Sequence, residues 1–121
     1  MKNNYIKEYC IKNNKNIILI IEKDINKKMY NELYNTLNRL LENGSKNIII
    51  YFRNSIKYII SNAIYLMLET QKVLEFRGGK MILTGLNEYA KWSVKSLEAH
   101  KKIKIFDNIH NAIEDIEEIT A

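Results

Sequence analysis

The sequence predicts an α/β domain: a mixed, mostly parallel β-sheet opened by an antiparallel hairpin. Two observations carry this. Short apolar runs of strand length alternate with longer segments whose apolar residues recur at helical spacing. The runs Ile17–Ile21, Asn47–Phe52 and Lys80–Thr84 are nearly unbroken, as expected of strands covered on both faces. The predicted order is β-β-α-β-α-β-α-β-α, and strands alternating with helices imply a parallel sheet.

The segment Tyr5–Lys12 alternates weakly through Ile6, Tyr9 or Cys10, and Ile11, and is expected as an edge strand. Asn13-Asn14-Lys15-Asn16 reads as the hairpin turn, because Asn tolerates positive φ. Ile17–Ile21 returns antiparallel as a central strand. Asn26 caps a helix in which Met29, Leu33, Leu37, Leu40 and Leu41 share a face, and Gly44 ends it. The strand Asn47–Phe52 leads through the turn Arg53–Asn62 into a helix that begins near Ser61 and ends near Arg77. Ile60, Ile64, Met67 and Leu74 lie near its inner face, and Gly78-Gly79 stops it. Lys80–Thr84 is a further interior strand. Asn87 caps a helix to about His100 with Ala90, Val94 and Leu97 inward, a stripe that Tyr89 or Trp92 can widen. Lys102–Phe106 is the last strand. Asp107 or Asn108 caps a final helix lined by Ile109, Ala112, Ile113, Ile116 and Ile119.

A chain of 121 residues with 46% apolar side chains is enough for one domain with its own core. The net charge of +5 is mild, and the basic residues are dispersed, so nucleic-acid binding is not expected. A loose basic cluster occurs at Lys91, Lys95, Lys101, Lys102 and Lys104, and an acidic one at Glu114, Asp115, Glu117 and Glu118. The single cysteine, Cys10, forms no internal disulfide. With no leader-like start, it points to a reducing cytoplasm. No apolar run approaches the roughly 18 residues of a membrane span, so no membrane insertion is expected. His100 and His110 fall on different helices with no ligand at metal spacing. Neither a P-loop nor a nucleophile elbow is present, so no cofactor, metal or catalytic set is expected and the chain is not read as an enzyme.

Function is expected at the loop after the second long strand, because sites in open α/β sheets gather at strand carboxyl ends and at the helix N-termini that follow them. That loop carries Arg53, Asn54, Ser55 and Lys57. Ser61, Asn62, Ala63 and Tyr65 open the helix, and Asn26 lies at the same end of the sheet. On the residues alone, Ser61 reads as the helix N-cap, its hydroxyl accepting from the amide of Ala63 or Ile64. Arg53 and Lys57 read as solvated, with the capacity to pair with a phosphate or an acidic partner.

The order of elements, the strands IILII and IIIYF, the segment KYIISNAIYLML, the stretch RGGKMILTGL and the tail KIFDNIHNAIEDI together resemble the STAS domain, the fold of bacterial anti-sigma factor antagonists. The resemblance spans about Tyr5 to Ile119. It implies a sheet with helices packed largely on one side, and a regulatory module that docks on an anti-sigma factor of kinase type. In that family the kinase phosphorylates a serine at the start of the helix after the third strand, which breaks the complex. Ser61 matches that phosphoacceptor by position, with Ser55 a distant second. Ile60, Asn62 and Ala63 stand where the family has an acidic residue, a second serine and a glycine. The partner-binding residues implied are Asn26, Arg53, Asn54, Ser55, Lys57, Asn62, Ala63 and Tyr65. An alternative within the resemblance is an accessory subunit of a transporter, or a small-ligand sensor, that works without phosphorylation. The sequence leaves the oligomeric state open, a homo-oligomer included.

Overall fold

The structure, a computed structural model, describes residues 5–120. The elements are β1 (Ile6–Ile11), β2 (Asn13–Ile21), α1 (Lys27–Glu42), β3 (Asn47–Phe52), α2 (Ser61–Phe76), β4 (Lys80–Thr84), α3 (Glu88–Ser96), a short 3-10 turn (Ala99–Lys101), β5 (Lys104–Phe106) and α4 (Ile109–Thr120). The strands form one sheet in the order β1-β2-β3-β4-β5. β1 runs antiparallel to β2, and every later pairing is parallel. The predicted architecture is therefore the observed one.

Side chains alternate across the sheet, as strand geometry requires. Ile17, Leu19 and Ile21 of β2, Ile48, Ile50 and Phe52 of β3, and Met81 and Leu83 of β4 face the larger core. Leu33 and Leu37 of α1, Met67 and Leu74 of α2, and Ala90 and Val94 of α3 cover them. Ile18, Ile49 and Ile82 form a row on the opposite face, beneath Ala112 and Ile116 of α4. Three helices thus lie on one face and one on the other, and a strand buried on both sides has no polar face to show. This is why β2, β3 and β4 are unbroken apolar runs. The side chain of Ile119, expected in the α4 stripe, lies outside the described residues.

Several boundaries move for physical reasons. The hairpin reverses at Lys12, with φ 60°, and not in the asparagine run. Asn13–Asn16 belong to β2, because the buried Asn16 carboxamide accepts from Asn47 at 2.9 Å and pins the strand to β3. α3 ends at Ser96 instead of His100, since Glu98 turns left-handed at φ 58° and breaks the helix. β5 starts at Lys104, after Ile103 has folded back onto the Ala99 carbonyl. Tyr89 and Trp92 do not widen the α3 stripe, being exposed. Asn26, Asn87 and Asn108 act as predicted caps, accepting from the amides of Met29, Ala90 and Asn111.

Candidate functional site

β2, β3, β4 and β5 all point their carboxyl ends to one edge of the sheet. The β2–α1, β3–α2 and β4–α3 loops meet there, and so do the N-termini of α1, α2 and α3. The β3–α2 loop is not free in solvent. Ile56 and Ile59 are buried beneath it. The amide of Ile25 donates to Tyr58, and the amide of Ile60 donates back to Ile25, at 2.8 and 3.0 Å. The Asp24 carboxylate accepts from the amides of Lys57 and Tyr58 at 2.7 and 3.2 Å. On the far side, the Asn87 carboxamide donates to the carbonyls of Asn54 and Ile56 at 2.6 and 2.8 Å. The loop that carries the candidate residues is thus clamped from the start of α1 and from the start of α3.

Ser61 is the first helical residue of α2, not its cap. Ile60 occupies the cap position with extended dihedrals (φ −66°, ψ 150°), and no side chain caps the helix. The cause is the bridge between Ile25 and Ile59, which holds the chain extended until just before Ser61. The serine side chain is left exposed beside the first two amides of α2, those of Ser61 and Asn62, while the Ala63 and Ile64 amides donate to the Ile60 carbonyl at 3.0 and 3.4 Å. Those amides and the positive end of the helix dipole favour an anion there.

Asn26, Asn54, Ser55, Lys57 and Asn62 are exposed at this edge together with Ser61. Arg53 is at the same edge but engaged: Nε and one terminal nitrogen reach a single Glu22 oxygen at 3.0 and 2.9 Å. Ala63 does not belong to the surface. It is fully buried in the larger core and offers a partner nothing. Tyr65 is half exposed one turn along α2, where it lines a shallow groove with Tyr30 and Tyr34 of α1. Sequence reasoning passed over Asp24 and Asn87 as parts of the site. Both are residue types that hydrogen-bond backbone, but their partners lie about thirty residues away in the chain.

The STAS-domain model matches residues 9–112. The chain belongs to the STAS family. Among solved structures, this STAS domain is similar to the Thermotoga maritima protein TM1081, described as a candidate anti-sigma factor antagonist. The two share 18% identity and a TM-score of 0.82, over 93% of this chain and 94% of that one. It is similar to the unphosphorylated anti-sigma factor antagonist SpoIIAA at 10% identity and a TM-score of 0.79, over 93% and 96% of the two chains. It is also similar to a Moorella thermoacetica RsbS variant at 9% identity and a TM-score of 0.76, over 97% and 98%. At these identities the likeness concerns the fold. No curated protein sequence matches. Among the described residues, no helix is long and apolar enough to cross a membrane.

Proposed function

We propose that this STAS domain is a regulatory docking module of the anti-sigma factor antagonist kind. It binds a kinase-type anti-sigma factor at the carboxyl edge of its sheet and is switched by phosphorylation of Ser61. It works by docking and catalyses nothing itself. The observation that carries this reading is the exposed, uncapped Ser61 hydroxyl at the start of α2. A hydroxyl committed to capping would be withheld from a kinase; this one is presented. The likeness to SpoIIAA, whose structure is also known in a phosphorylated form, supports the same reading.

In the switch, the Ser61 Oγ attacks the γ-phosphorus of ATP bound to the kinase. The bond to ADP breaks, and the serine proton passes to a base of the kinase. The product adds roughly −1.5 to −2 charges at the centre of the edge. The α2 amides can hold that charge within the domain, while an apolar or acidic partner surface is repelled. The test is to incubate the protein with its cognate kinase-type anti-sigma factor and ATP. Mass spectrometry is expected to find one phosphate, on Ser61, with loss of the complex. Ser61→Ala is expected to bind and stay bound, with stability within about 0.5 kcal/mol of the parent because no cap is lost. Failure to form any complex overturns docking; a stable complex with no phosphate on Ser61 overturns the switch.

A further inference from the structure

The outer face of α3 holds two large aromatic side chains in water. Tyr89 is 64% exposed, and Trp92, the only tryptophan of the chain, is 72% exposed. They stand one turn apart and therefore share a face, while Ala90 and Val94 turn inward to the core. Tryptophan and tyrosine are the residues in which binding energy concentrates at protein interfaces. Cations flank the pair. The Lys57 ammonium lies 5.5 Å from the centre of the Tyr89 ring, and Lys95 follows Trp92 by one turn. The nearby carboxylates, Glu88 and Asp107, approach Lys91 at 4.0 and 3.5 Å. Among the described residues, Lys57 and Lys95 have no carboxylate partner.

We propose that the face running from Lys57 across Tyr89 and Trp92 to Lys95 docks an acidic segment of a partner protein, one with apolar side chains set between its carboxylates. The apolar groups cover the exposed parts of the two rings, and the carboxylates meet the Lys57 and Lys95 ammonium groups. The face adjoins the Ser61 edge: the Asn87 carboxamide that caps α3 also grips the loop carbonyls. The inference rests on the docking reading above for taking the occupant to be a protein, and it adds the chemistry of that occupant. Charge balance favours a protein over an anionic membrane or a nucleic acid. Lipid-reading patches gather about four to eight basic residues. Among the described residues of this face, Glu88 and Asp107 engage Lys91, which leaves Lys57 and Lys95, too few cations for a phosphate-rich surface but enough for a few carboxylates set between apolar groups.

The test uses the full chain, with Trp92 emission and calorimetry as readouts. The probe is a synthetic peptide with leucine at helical i, i+3, i+4 spacing and glutamate elsewhere, set beside the same peptide with glutamine for every glutamate. Saturable binding of the glutamate peptide with a blue shift of Trp92 is expected, with the glutamine peptide at least about tenfold weaker. Trp92→Ala, followed by calorimetry, and the charge reversal Lys57→Glu with Lys95→Glu should each weaken binding about tenfold or more. All three positions are exposed, and circular dichroism checks that the fold is kept. Equal affinity for the two peptides overturns the inference. So does a Trp92 response to phosphatidylserine vesicles or single-stranded RNA in place of the peptide. Because no kinase is present, the two proposals fail separately. A phosphorylated Ser61 with no peptide binding removes this inference alone. Peptide binding by a chain that no anti-sigma kinase engages removes the preceding reading alone.

Discussion

Of the four glycines, Gly79 has the least room for a side chain. A Cβ placed there would lie 1.8 Å from the carbonyl oxygen of Lys46 and 2.6 Å from its carbon. Both are backbone atoms at the entrance to β3, so no rotamer change can relieve the clash. Gly44 is the useful contrast. It has φ 84°, but a Cβ there would meet nothing within 4 Å. Gly44→Ala should cost about 1–2 kcal/mol, the left-handed penalty alone. Gly79→Ala should cost more, about 3 kcal/mol, because β3 and β4 must separate where Asn47 accepts from the Lys80 amide. Denaturant melts of the two variants measure the difference. A Gly79→Ala variant no less stable than Gly44→Ala would refute the close approach. The glycine pair reads in the sequence as a helix stop, which holds for Gly78 at φ 82°. The need for Gly79 is a contact with a residue 33 positions earlier, and no local pattern announces it.

At the scale of elements, the three asparagine caps are not equivalent. Asn26 accepts one amide bond at the start of α1. Asn87 accepts from Ala90 and also donates to Asn54 and Ile56, so it caps α3 and closes the β3–α2 loop at once. Asn26→Ala should cost about 1 kcal/mol. Asn87→Ala should cost about 2–3 kcal/mol, since two carbonyls lose their donor as well. Hydrogen exchange separates the effects: the Asn87 variant should also speed exchange of the loop amides, among them Ile56, while the Asn26 variant should not. Equal stability loss with an unchanged loop would mean that Asn87 is a cap and nothing more. Both caps are legible in the sequence because capping is a relation across three residues. The clamp on the loop is not, because it joins separate strands.

At the scale of the molecule, the two faces of the sheet are held differently. α1, α2 and α3 share one large apolar core, whereas α4 covers the other face alone with Ala112 and Ile116 and is tied down by charge. The Asp115 carboxylate meets Lys80 of β4 at 2.8 Å and Lys104 of β5 at 3.1 Å. Partial burial pushes the Asp115 pKa up, but the hydrogen bonds and charges of Lys80 and Lys104 outweigh it, and the net shift is downward. A carboxyl whose folded pKa lies below its unfolded one stabilises the fold at pH above the unfolded value. That contribution fades as pH falls through the folded value. Asp115→Asn should therefore be less stable than the parent at pH 7, by at most about 1 kcal/mol given the exposure of Lys104. The gap should close below the ordinary carboxylate range. Thermal melts across that range check the sign, and a gap that widens in acid would refute it.

The sequence by itself determined the order of elements, the antiparallel opening, the parallel remainder, the three asparagine caps and the edge at which a site can form. Each of these rests on residues within a turn or a strand of one another: apolar runs for two-sided burial, helical spacing for one buried stripe, asparagine and glycine for starts and stops. Tertiary structure alone decided the details of the site. The Ile25–Ile59 bridge moved the cap to Ile60 and released Ser61. The inward face of α2 buried Ala63, Glu22 took up Arg53, and Asp24 and Asn87 closed over the loop from two other strands' ends. These contacts follow from the register of β2, β3 and β4. A parallel register joins residues some thirty positions apart, and the neighbours of a residue along the chain carry no record of which distant backbone will arrive beside it.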